Sequence, residues 1–144
     1  MAKTVVILGS MDTKGEEFAY VKRLIEGHGI NTLVVDSGVL GEPKLKPDVT
    51  HEELAKAGGK SLSELLEKKD RGEAMEVMSE GAAAVVSRLY REGKLDGIIG
   101  MGGSGGTAVA TAGCAPCQWA CRRSWYLLWR PATWNPTFPQ ETLP

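Results

Sequence analysis

The stretch Asp96-Gly97-Ile98-Ile99-Gly100-Met101-Gly102-Gly103-Ser104-Gly105-Gly106-Thr107 decides the fold class of this chain. A short apolar run closed by glycine reads as a strand buried on both faces of a parallel sheet. The five glycines between Gly100 and Gly106 then form a loop with almost no side-chain bulk, and Thr107 onward suits the start of a helix. Gly100 to Gly105 fits G-x-G-x-x-G in the strand-to-helix context that gives the pattern meaning. Backbone N–H groups and the positive end of a helix dipole converge at such a loop, so a phosphate is its natural guest. The same glycines equally suit a turn that only lets strand and helix pack closely.

Upstream, Thr4 to Leu8 is a second apolar run, bounded by Gly9, and Thr32 to Asp36 is a third. Between them, Phe18, Val21 and Ile25 fall at helical spacing within Glu16 to Glu26, and Gly27-His28-Gly29 ends that helix. The result is a βαβ unit whose right-handed crossover places the loop 10–15 and the segment after Asp36 on one sheet edge. Gly38 to Pro47 reads as a loop. Thr50-x-x-Glu53 and Ser61-x-x-Glu64 are capping boxes of two short helices. Met75, Met78, Ala82, Val85, Val86 and Leu89 form one stripe of a long helix between Gly72 and Glu92, before a strand at Leu95 to Gly100. The order β-α-β-α-α-α-β predicts an α/β fold, a Rossmann-like doubly wound parallel sheet, truncated after its third strand.

The first loop, Gly9 to Gly15, offers Asp12, Thr13 and Lys14 beside the end of strand one. It is not a Walker A loop, because its lysine precedes the glycine instead of following it. Lys14 suits phosphate oxygens, and Asp12 or Thr13 suits either capping of the next helix or holding a magnesium-bound water. Asp36 ends strand two where dinucleotide folds often hold a ribose hydroxyl, or where a strand-end turn simply needs an Asp. The glycine pattern follows strand three and not strand one, which argues against a standard NAD-binding half and for another nucleotide geometry. Arg71 is placed to reach a phosphate from a helix start or to sit in the solvated run Lys68 to Arg71. His28 and His51 read as a turn residue and a helix-start residue, with no metal site expected.

At 144 residues with a formal net charge of -1, the chain supports one core and no field that would gather nucleic acid or an anionic membrane. The first apolar run is too short for a signal or membrane segment, so a cytoplasmic location is expected. Composition changes sharply near Gly113: all 3 cysteines and all 4 tryptophans lie after it. Only three basic residues and one acidic residue accompany them. Cys114-Ala115-Pro116-Cys117, with Cys121, has the spacing of a redox dithiol or a cluster arm but sits in no strand or helix pattern.

Val6 to Lys14, Val34 to Asp36, Arg71-Gly72 and Gly97 to Thr107, in that order, resemble the N-terminal domain of the family represented by the tomato mosaic virus resistance protein, whose other members are mostly uncharacterised microbial proteins. The resemblance covers residues 3 to 112. It implies ATP binding, with Mg2+ as an accompanying ion. Carried over residue by residue, it implies nucleotide contacts from Asp12, Thr13 and Lys14, from Arg71, and from Gly102, Gly103, Ser104 and Gly105. Where the plant member has a threonine contact after strand two, this chain has Val39. The family continues past the glycine loop with a proline-rich apolar segment and a Ser-Thr-x-Ala-Ser-Gly motif, which a back-translation of the tail read two bases later can yield. The expectation is therefore a partial nucleotide-binding domain over 1–112 and a frameshifted tail over 113–144, whose cysteines and tryptophans are codon accidents.

Three functions follow as alternatives: an ATP-binding module, a phosphoryl-transfer or ATP-hydrolysing enzyme in which Asp12 and Lys14 act with the metal, and an inactive fragment. A sheet edge left open by the truncation makes self-association or a partner protein the expected protein contact.

Overall fold

The computed structural model describes residues 3–102 and 104–114 of the chain. Three strands, β1 (Thr4–Gly9), β2 (Asn31–Asp36) and β3 (Gly97–Gly100), form one parallel sheet in the order β2-β1-β3. The register sets Gly9 beside Asp36 and Leu8 beside Gly100, so all three strands end at one edge. Val49 adds a single parallel bridge to Val35 on the outer side of β2. Helix α1 (Met11–Gly27) joins β1 to β2, and α2 (His51–Ala57), α3 (Leu62–Lys68) and α4 (Arg71–Arg91) lead to β3. Helix α5 (Ser104–Cys114) follows β3.

Alternation along the strands divides the core in two. Ile7 and Val34 face one side, where Met11 and Phe18 of α1 are fully buried against them. Val6, Leu8, Val35 and Ile98 face the other, against Leu54 of α2, Met78, Ala82, Val85 and Val86 of α4, and Val109 of α5. Helices therefore cover both faces, as a doubly wound sheet requires when its strands are apolar on both sides.

Local chemistry explains most element ends. Thr50 and Ser61 close both expected capping boxes, with Oγ1 of Thr50 and Oγ of Ser61 each accepting from the amide three residues on at 3.3 Å and the glutamates Glu53 and Glu64 returning the bond. Asp70 caps α4 through the amides of Gly72 and Glu73. The α4 stripe is buried from Met78 to Leu89, with Met75 partly covered, and it widens to include Ala74, Val77 and Gly81. Gly81 and Gly58 sit where α2 crosses α4, and a Cβ on Gly81 would lie 2.9 Å from the Leu54 carbonyl carbon. Backbone-to-backbone approach of this kind is the reason for glycine at that crossing.

Two helix starts differ from the sequence reading. Helix α1 begins at Met11, not near Glu16, because Ser10 O accepts from Lys14 N at 3.0 Å and closes a first turn. That turn is separated from the rest by Lys14, whose φ of -121° and ψ of 16° are not helical. Helix α5 begins at Ser104, three residues before Thr107, so Gly105 and Gly106 belong to its first turn. Helix α5 also runs through Gly113 and Cys114, and Gly113 packs on Leu8, Val86 and Ala82. The described fold thus continues two residues past the change in composition, while the rest of the tail, including Cys117 and Cys121, lies outside the described residues.

Candidate functional site

The carboxyl edge of the sheet gathers most of the residues singled out from sequence. Helices α1 and α5 leave the adjacent strands β1 and β3 at this edge and fold to opposite faces of the sheet. That divergence is the topological switch point of an open α/β sheet, where a crevice forms between two helix N-termini. The two loops also touch at their roots: a Cβ on Gly9 would lie 3.3 Å from Met101 O.

On the β3 side the rim is backbone. Gly102 passes so close to Gly106 that a Cβ would lie 2.9 Å from the Gly106 Cα. Gly100 lies against Ala110, where a Cβ would meet the alanine methyl at 2.6 Å. Both glycines therefore serve the tight strand-to-helix turn that the sequence also allowed. The same turn leaves the first amides of α5 at the rim without intrahelical partners, as at every helix start. Gly105 rests on Met75, whose Sδ would be 3.4 Å from an added Cβ. Ala82 and Val86 meet Gly113 further along, so α4 and α5 run side by side in the same direction. The start of α4 therefore lies at the start of α5, and exposed Arg71, one turn before Met75, belongs to this rim. Gly103 lies outside the described residues.

On the β1 and β2 side the rim is built by carboxylates. Asp36 is fully buried, and its Oδ1 accepts from Met11 N at 3.0 Å and Gly38 N at 2.8 Å. Asp36 thus acts as a strand-end turn residue. Asp12 does not cap α1: its Oδ1 accepts from Thr13 N at 2.7 Å and its Oδ2 from Leu40 N at 3.1 Å, across the loop after β2. Thr13 is exposed. Lys14 is partly exposed, with Nζ 3.4 Å from Glu17 Oε1. Val39 is partly buried and packs on the larger core cluster.

His51, read from sequence only as a helix-start residue, brings Nδ1 to 3.2 Å from Asp36 Oδ2. The approach is close enough for an ion pair but poorly aligned, and both atoms are buried without a hydrogen-bond partner, as is Ser37 Oγ. Burial pushes the Asp36 carboxyl above its usual range, against the Met11 and Gly38 amides and His51, which favour the charged form; neighbouring Asp12 adds to the rise. No local pattern in the sequence marks this pair, because the pairing of Asp48 and Val49 with Val34, Val35 and Asp36 carries His51 across to β2. Among the described residues no three His, Cys, Asp or Glu side chains gather as a metal site, and no helix is long and apolar enough to cross a membrane.

Comparison with known proteins places the sequence in a family. Residues 3–119 match the N-terminal domain of the uncharacterised protein family UPF0261. The chain belongs to that family. It is 53% identical over 111 residues to a UPF0261 protein of Clostridium tetani, covering 77% of this chain and 28% of the relative. A UPF0261 protein of Brucella suis is 34% identical over 106 residues, 74% of this chain and 25% of that protein. One from Rhizobium meliloti is 34% identical over 111 residues, 77% of this chain and 27% of that protein. This UPF0261 chain therefore spans about a quarter of the length of the curated relatives it matches.

Proposed function

We propose that this UPF0261 domain binds ATP, with Mg2+, and holds the phosphates in the crevice between β1 and β3. The observation that carries the reading is the divergence of α1 and α5 from neighbouring strands, which turns two helix N-termini toward one point on the rim. A triphosphate seated there meets the first amides of α5 around Ser104 and Gly105, the close turn at Gly102, and the positive charges of Lys14 and Arg71. Thr13 is within the same first turn. The ordered resemblance of these segments to an ATP-binding domain supports the nucleotide in place of a bare anion. Asp12 contributes by tying the first loop to the loop after β2.

The reading is tested by titrating the intact chain with Mg-ATP in a calorimeter, alongside Lys14→Ala and Arg71→Ala. Saturable binding is expected, with each variant weaker by about tenfold, the effect of losing one charge-assisted contact of about 1.4 kcal/mol. Absence of heat and of any amide shift at residues 102–107 up to millimolar nucleotide defeats it.

A further inference from the structure

The buried contact between Asp36 and His51 is unexplained by core packing, since it places three polar atoms, Asp36 Oδ2, His51 Nδ1 and Ser37 Oγ, in the interior without partners. We propose that His51 is a positioning residue for the rim: a proton on Nδ1 directed at Asp36 Oδ2 locks the carboxylate that holds the first loop and the loop after β2 in place.

The geometry gives the lock its reach. Asp36 Oδ1 holds the amides of Met11 and Gly38, one in each loop. Around these two bonds, Lys44 N donates to Met11 O at 2.9 Å, Ser37 N donates to Gly9 O at 2.9 Å, and Leu40 N donates to Asp12 Oδ2. One carboxylate is therefore the common anchor of the segment 9–15 and the segment 37–44. Its second oxygen, without a hydrogen-bond partner among the described residues, lies 3.2 Å from His51 Nδ1. Of the charged groups around the pair, Asp12 lies on the α1 side of Asp36. Glu52 lies on the other side of the imidazole, with Oε1 3.6 Å from Nε2. Glu52 is exposed and can be served by water, whereas Asp36 Oδ2 cannot. A ring with one proton therefore keeps it on Nδ1, and a ring with two satisfies both carboxylates.

The consequence for ligand binding rests on the phosphate reading above. The lock itself does not. Amide hydrogen exchange of Met11 and Gly38 in the intact chain reads the lock without any ligand. In His51→Ala these two amides should exchange at least about tenfold faster, with β1 amides such as Val6 unchanged. His51→Asn, which keeps a donor near the Nδ1 position, should restore protection to within about threefold. Nitrogen NMR of the unmutated ring supplies a readout that survives a misfolded variant: Nδ1 should carry a proton. A bare Nδ1, unchanged Met11 and Gly38 exchange in His51→Ala, or failure of His51→Asn to rescue each overturns the proposal. Mg-ATP should bind about five- to tenfold more weakly to His51→Ala and normally to His51→Asn. Loss of the exchange effect with ATP binding intact sinks the lock alone, and an exchange effect with no ATP binding to the unmutated chain sinks the phosphate reading alone.

Discussion

The two halves of the carboxyl edge are made of opposite materials. Beside β2 the rim is held by side chains: Asp36 and Asp12 take backbone amides, His51 meets Asp36, and two of the carboxylate oxygens take amides from the loop 37–40. Beside β3 it is held by the lack of side chains, with Gly100, Gly102 and Gly105 pressed against Ala110, Gly106 and Met75. In the proposed ATP complex, the first half repels a phosphate and the second accepts it. In that proposal the β2 half is a frame that fixes where Lys14 stands, and the β3 half is the seat.

The contrast is broken most severely by removing the frame's anchor. Asp36→Ala leaves Met11 N and Gly38 N buried without acceptors at about 1–3 kcal/mol each, which should appear as a large drop in denaturant midpoint. Asp36→Asn keeps the Oδ1 acceptor and removes the charge. Because burial raises the folded-state value of Asp36, its contribution is complete below the unfolded value of about 3.9 and is lost as pH rises through the higher folded one. Asp36→Asn should therefore gain stability relative to the unmutated chain as pH goes from about 4 to 7, and parallel pH profiles would show that the carboxyl is not strained by burial.

Next in size is Gly9→Ala. A Cβ there falls 2.5 Å from Cε2 of fully buried Phe18, and overpacking should cost about 1–3 kcal/mol. Away from the rim, Thr50→Ala should cost about 1 kcal/mol by opening the α2 capping box, measured by thermal melting. The smallest stability effect is expected at the seat. Gly105→Ala meets only the flexible end of Met75, and a better helix former offsets the crowding, so stability should stay within about 0.5 kcal/mol. Mg-ATP affinity should nevertheless fall in that variant, since the added methyl stands at the first turn of α5. A large stability loss with affinity intact would reverse the assignment of frame and seat.

Much of this organisation is legible in the chain. The strands near Thr4, Thr32 and Gly97 stand out because burial on both faces demands unbroken apolar runs, and the capping boxes at Thr50 and Ser61 because each is a local exchange of two hydrogen bonds. The helix starts were harder. Ser104 begins a helix containing paired glycines of poor helix preference, and Met11 one whose first turn is broken at Lys14 by a non-helical backbone, and the turns close because the strands before them are already fixed. Asp36 was legible as a strand-end residue but not as an anchor.

Sequence by itself determined the parallel α/β class, the order of elements and the placement of glycines where backbone must approach backbone, since these depend on periodicity and on contacts within a few residues. Tertiary structure alone decided which carboxylate faces solvent and which is buried, that Arg71 joins the rim through the parallel packing of α4 on α5, and that His51 meets Asp36. Those pairings link residues far apart in the chain, and side-chain pattern carries no record of a distance that only the folded sheet sets.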